Sequence, residues 1–347
     1  MIDFRYHLVS IVAVFLALAI GIVLGAVALQ PKVANTLHTE SERALKQNDQ
    51  LNAEISKLKA QVAADGQFGV AAAGILLPHL LQGEKVVLVT APGADGSAVS
   101  GITSALLASG ATLTGTVSLA PQFFDTDAKT QSTLITTAGQ VAPPGVPSTG
   151  QAGTQLAGQQ AAAKVIAATI MDRNDLRTAT AQEVKSVLNE FGDQGFLQVS
   201  NPSGGAALTG QADLAVVVIP GTTPANASSV SPENLTLVSL TRDFGQSGEG
   251  ALLAGSLNGS GNGSAIEAVT GGGAGEAVIT VDNADTEIGQ IIVIQALREA
   301  LEPHAIPRSY GVGPDAAPSP APSTSPTPSV SASPSHSPQS KAGKGKS

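Results

Sequence analysis

Asp282, Asn283, Asp285 and Glu287 form the best-placed acidic cluster in the sequence, between an apolar run at 277–281 and a helical stretch at 287–301. Carboxylates and amides suit hard cations, and ligands of parallel sheets collect at the carboxyl ends of strands. Asp282, Asp285 and Glu287 are therefore the candidate metal ligands. The same residues have a plainer use, which we favour: Asn283 or Asp285 caps the following helix while Glu287 complements its dipole. Soft metals have little to hold them. There is no Cys, and Met1 and Met171 are the only methionines. The five histidines (His7, His38, His79, His304 and His336) are scattered, with no two spaced to ligate one ion from one element.

Nucleotide and covalent chemistry find no foothold. The turn Pro92-Gly93-Ala94-Asp95-Gly96 follows a strand but has neither G-x-G-x-x-G nor the Gly-Lys-Ser/Thr of a phosphate loop, and Asp95 would repel an anion. The Gly-rich run at 271–275 precedes a strand rather than a helix. G-x-S-x-G, H-E-x-x-H and a Cys nucleophile are missing. The chain reads as non-enzymatic and without a cofactor.

The elements that would position these residues begin with LVSIVAVFLALAIGIVLGAVAL, residues 8–29, a run without charge. About 20 apolar residues suffice to span a bilayer as a helix. The flank at 1–7 is weakly positive through Arg5 and the amino terminus, which puts the N-terminus in the cytoplasm and the body outside. Ala26-Val27-Ala28 also resembles a signal-peptidase site, but the run exceeds the usual signal core, so a retained anchor at 1–30 is preferred. Ala13, Ala17, Gly21 and Gly25 lie at four-residue steps on one helix face, a small-residue stripe suited to helix packing.

Beyond Pro31 a heptad pattern sets in. Leu37, Ala44, Leu51 and Leu58 recur every seven residues, with Ser41, Asn48, Ile55 and Val62 four later. This predicts a short coiled-coil stalk over 31–66 that ends at Asp65-Gly66, with Asn48 fixing register. A second apolar helix at 68–81, interrupted by Pro78, follows. From residue 67 to 313, continuous β-branched runs (86–89, 112–119, 214–219, 251–254, 277–281) alternate with helical stretches (97–109, 155–171, 181–191, 231–244, 287–301). That order implies an α/β domain with a mainly parallel, Rossmann-like sheet covered on both faces. The Ala/Pro/Ser/Thr-rich segment 314–347 cannot build a core and is expected to be a disordered tail.

The totals agree with an exported, anchored body. Of 347 residues only 3% are aromatic, so the core must come from Val, Leu, Ile and Ala, and a net charge of -9 argues against nucleic-acid binding. The expected partners are the membrane, a second copy through anchor and stalk, and a further envelope protein.

Phe4-Arg5-Tyr6-His7-Leu8-Val9-Ser10 leading into the anchor resembles the opening of the actinobacterial copper-transport protein B (MctB-like) family. Pro92-Gly93-Ala94-Asp95, Thr280-Val281-Asp282-Asn283-Ala284-Asp285 and Tyr310-Gly311-Val312-Gly313 resemble that family in the same order, from the start of the chain to about residue 313. The resemblance implies an envelope protein that limits copper accumulation, described for the family as an outer-membrane or channel-forming copper transporter, with copper as the transported ion. Related members imply a different role, as scaffolds in cell separation that control peptidoglycan hydrolases through a membrane partner. The residues themselves offer no pore: one helix cannot enclose one, and the serial strand alternation of a membrane barrel is missing.

Overall fold

The structure is a computed structural model. It describes residues 3–151, 153–172, 178–222, 229–271, 278–302, 305–314 and 316–320, with side chains at 3–5 and 26–39 left aside. The chain divides into two compact units, Met1–Gly69 and Val70–Ser347.

The first unit is helical. Helix α1 runs unbroken over Asp3–Leu76, past Pro31 and past the expected stop at Asp65-Gly66. The separate helix expected at 68–81 is also corrected: its first half continues α1, and the chain turns at Leu77 ahead of Pro78. Pro78 cannot continue a helix and biases the residue before it away from helical geometry. Gly66 alone lacks the means to end one, since a single helical glycine costs only about 1 kcal/mol. Tyr6–Gly25 has a mean hydropathy of 2.9, none of it is buried, and it is long and apolar enough to cross a membrane; a signal sequence would meet the same description.

The second unit is a mixed α/β fold whose described residues form a seven-stranded sheet. In chain order they are β1 (Lys85–Thr90), β2 (Thr112–Leu119), β3 (Leu197–Ser200), β4 (Leu214–Val218), β5 (Gly250–Ala254), β6 (Ile279–Val281) and β7 (Ser309–Tyr310). They lie side by side as β3-β2-β1-β4-β5-β6-β7, all parallel except β3, which runs antiparallel to β2. The central strands bury both faces, which explains their unbroken apolar runs. Val87, Val89, Ala215, Val217 and Leu253 point into one core; Val86, Leu88, Val216, Val218 and Leu252 point into the other.

Helices α2 (Gly96–Ala108) and α8 (Glu287–Ala300) cover the second face. Helices α3 (Ala128–Val141), α4 (Ala157–Ile170), α5 (Ala181–Asp193) and α6 (Pro232–Ser247) cover the first, with the short α7 (Ala265–Thr270) against α6. The edge strand β3 approaches β2 at Gly115, where φ is 154° and a Cβ would come within 2.6 Å of Ser200 O. Only glycine fits that contact. The 321–347 part of the expected tail lies outside the described residues.

Candidate functional site

Asp282 is buried immediately beyond β6. Its Oδ1 accepts the N–H of Val312 at 2.8 Å, and its Oδ2 accepts that of Gly313 at 2.7 Å. Both carboxylate oxygens therefore hold the segment that follows β7. Gly311, at φ 132°, makes the wrap possible, because a Cβ there would lie 1.8 Å from Asp282 Oδ1.

The cap of α8 is Thr286, which corrects the expectation of Asn283 or Asp285. Its Oγ1 accepts the Gly289 N–H at 3.0 Å and donates to Asn283 O at 2.8 Å. The shorter Thr side chain stands one residue ahead of the helix, in the extended geometry a cap needs. Glu287 is exposed in the first turn. Asn283 Oδ1, Asp285 Oδ1 and Thr280 Oγ1 are buried without hydrogen-bond partners. Among the described residues no three His, Cys, Asp or Glu side chains gather as metal ligands, and Asp282, Asp285 and Glu287 form no such group.

The turn after β1 is a helix cap, not a phosphate cradle. Asp95 Oδ1 accepts the N–H of Ser97 at 2.8 Å and of Ala98 at 3.2 Å. The Ser97 hydroxyl is the main reason its carboxyl is held below the usual range, with the Ala98 N–H adding to it.

Strand order reverses between β1 and β4, and here the structure opens a cleft that no sequence motif announces. Loops after β1 and β4 are tied together: Ala91 N–H donates to Val218 O at 2.9 Å and Gly221 N–H to Gly93 O at 2.8 Å. Beside this junction lies a cavity of about 740 Å³. Its walls are Pro92 after β1; Pro121, Phe124, Asp125 and Thr126 after β2; Pro220, Thr222 and Ser229 after β4; Ser231, Pro232, Glu233 and Asn234 at the start of α6; and Gly259 and Gly263 after β5. Ser231 Oγ caps α6 by accepting the Asn234 N–H, and Asn234 Nδ2 donates to Gly263 O at 2.7 Å, so the rim is braced. Burial pushes the Glu233 carboxyl above its ordinary range.

A second, polar basin of about 580 Å³ lies at the opposite end of the strands, lined by His79, Gln82, Glu84, Asp213, Glu249 and Arg298 among others. His79 sits at φ 67°, with Nδ1 2.8 Å from Gln82 Oε1. The Glu84 carboxyl is pushed up by burial first and by Asp213 and Glu249 next, against the pull of Arg298 and Lys85. Asp213 Oδ2 accepts the Lys85 N–H, and Arg298 pairs with Glu302 at 3.0 Å.

On α1, Ala13, Ala17, Gly21 and Gly25 lie within the apolar span, and a Cβ at Gly21 or Gly25 would meet nothing within 4 Å. Of the heptad positions, Ala44, Asn48, Leu51, Ile55, Leu58 and Val62 are exposed, and Asn48 Oδ1 accepts from Asn52 Nδ2 at 2.6 Å. The Leu37 side chain lies outside the described residues.

Together these features define an α/β protein with a mostly parallel sheet and one membrane-length apolar helix at its N-terminus. The family model for "Copper transport outer membrane protein, MctB" matches residues 1–320, and the chain belongs to that family. It is 31% identical over 318 residues to the copper transporter MctB of Mycobacterium leprae, covering 90% of this chain and 97% of that protein. Against the copper transporters MctB of Mycobacterium tuberculosis and Mycobacterium bovis, identity is 27% over 306 residues, covering 87% of this chain and 93% of theirs.

Proposed function

We propose that this chain serves copper transport across the cell envelope as a non-enzymatic, membrane-anchored protein. Family membership over residues 1–320 carries the reading, with relatives named as copper transporters. Tyr6–Gly25 is the anchor, the N-terminus is cytoplasmic, and the α/β unit is extracytoplasmic. Two copies associate through α1. The sheet is used in the Rossmann-like manner, with its ligand edge at the β1/β4 junction, as the order β3-β2-β1-β4-β5-β6 supports.

The donor set shapes the copper role. A chain without Cys, and with two Met, lacks the soft ligands that retain Cu(I). Copper is cargo handled at the envelope, not a resident cofactor. Deleting the gene is expected to raise cell-associated copper and copper sensitivity, both restored by the full chain; unchanged copper content and tolerance in the deletion strain would reject the proposal. Titration of the purified chain with Cu(I) and Cu(II) under competing chelator separates direct from indirect handling. Weak, non-stoichiometric binding is the expected result, and tight binding at fixed stoichiometry would reject cargo handling without a resident site.

A further inference from the structure

We propose that the cleft at the carboxyl edge of the sheet binds a small organic ammonium compound, an apolar body bearing a protonated amine. Its placement is the first argument. Four loops that follow parallel strands converge there, beside the reversal of strand order where open α/β sheets take their ligands. The cavity, about 740 Å³, falls within the ~300–1,000 Å³ typical of small-molecule sites. Hydrogen bonds join the β1 and β4 loops and brace Asn234 to Gly263, so these two parts of the wall are held in place by the fold itself.

The lining chemistry selects the ligand. Pro92, Pro121, Pro220 and Phe124 offer stiff carbon faces, and proline loses no side-chain freedom when a ligand orders it. The charged residues of the wall are Asp125 and Glu233, both acidic, with no Lys, Arg or His among the lining residues. A phosphate or carboxylate ligand would meet two like charges and no Lys, Arg or His to offset them. Glu233 is half-buried, and no hydrogen bond or ion pair reaches its carboxylate among the described residues. A partly desolvated carboxylate that no described residue pairs with is costly, and an ammonium supplies charge-assisted hydrogen bonds to it. The dipole of α6 favours an acid in its first turn, which explains the residue type but not the apolar cavity beside it. A bare inorganic cation would satisfy Glu233 yet leave the proline and phenylalanine faces wet, so the ligand is organic.

The test uses the full chain in lipid nanodiscs, with empty nanodiscs as reference, and three probes of matched shape: 2-phenylethylamine, 2-phenylethanol and 3-phenylpropionate. Calorimetry and saturation-transfer NMR, in copper-free buffer, are expected to show the amine binding about tenfold tighter than the alcohol, with the carboxylate weakest. Glu233→Gln should erase the preference for the amine while leaving the alcohol unchanged, and Thr126→Trp, which fills the cleft, should weaken both. Circular dichroism of each variant checks the fold. Equal affinities for the three probes, an amine preference that survives Glu233→Gln, or no saturable binding of any probe would overturn the proposal. Copper phenotypes do not enter the readout, so failure here is distinct from failure of the transport role.

Discussion

Asp243 shows what a buried charge does to this fold. It lies on the inner side of α6, 8% exposed, and burial pushes its carboxyl up to about 6, against the pull of Arg242 and Lys164. The folded state then binds a proton more readily than the unfolded chain between the ordinary Asp value and about 6. Stability therefore falls as pH rises through that window. Asp243→Asn is expected to stabilise the protein by about 1–3 kcal/mol at pH 7, with the gain vanishing near pH 4. Urea melts at several pH values measure this; a variant weaker than the parent at every pH would show that the carboxylate makes a bond the fold needs. Asp282 is the opposite case, a buried carboxylate satisfied by two backbone donors. Asp282→Asn should lose about 1–3 kcal/mol, because one oxygen becomes a donor facing an N–H. The loss should appear as earlier proteolysis around 311–320, and unchanged melting and cleavage would refute the clamp.

At the level of elements, local signals were legible and distant pairings were not. Asp95-Gly96 opening α2, Ser231-Pro232 opening α6, and the β-branched runs of β1, β2 and β4 each carry their signal within a few residues, and the structure starts those elements within a residue of where they are expected, although α6 runs three residues past Phe244, to Ser247. Helix α3 has little sequence signal because its Thr- and Gln-rich stretch offers a weak apolar stripe, although Asp127 caps it by accepting the N–H groups of Lys129 and Thr130 at 3.0 Å. Strands β3 and β7 have four and two residues, too short for periodicity to show, and exist through pairing with distant partners. The cleft was illegible for the same reason, since its walls come from loops between Pro92 and Gly263. The heptads of α1 are legible, and their purpose is testable. Leu51, Ile55 and Leu58 are exposed on a 74-residue helix, a seam suited to a second copy. The chain has no Cys, so Asn48→Cys introduces a single thiol. In native membranes it should form a disulfide-linked dimer on mild oxidation, and adding Leu51→Asp and Leu58→Asp should abolish the cross-link. A cross-link that persists with both charges present would place the contact elsewhere.

For the whole molecule the deciding question is how the N-terminal 25 residues end up in the mature protein. An apolar stretch at Tyr6–Gly25 serves either as a permanent span or as a signal removed after Ala28, and the two leave different products. Retention keeps Ala13, Ala17, Gly21 and Gly25 in the bilayer, where small residues let two helices approach, and keeps the heptads tethered so that even weak pairing is favoured by high local concentration. Cleavage would release an acidic protein whose α1 begins near Leu29, with pairing dependent on concentration alone. The expected outcome is retention: intact-mass analysis of the protein isolated from its own envelope should show residues 1–28 still present, and carbonate washing should leave it in the membrane pellet. A mature chain beginning at Leu29 and extracted by carbonate would reject the anchor. Substituting Gly21→Leu and Gly25→Leu then separates the two packing surfaces. If the seam of α1 is the main contact, the Asn48→Cys cross-link survives both leucines with at most a modest loss of yield, whereas a collapse of the cross-link would assign the association to the membrane stripe.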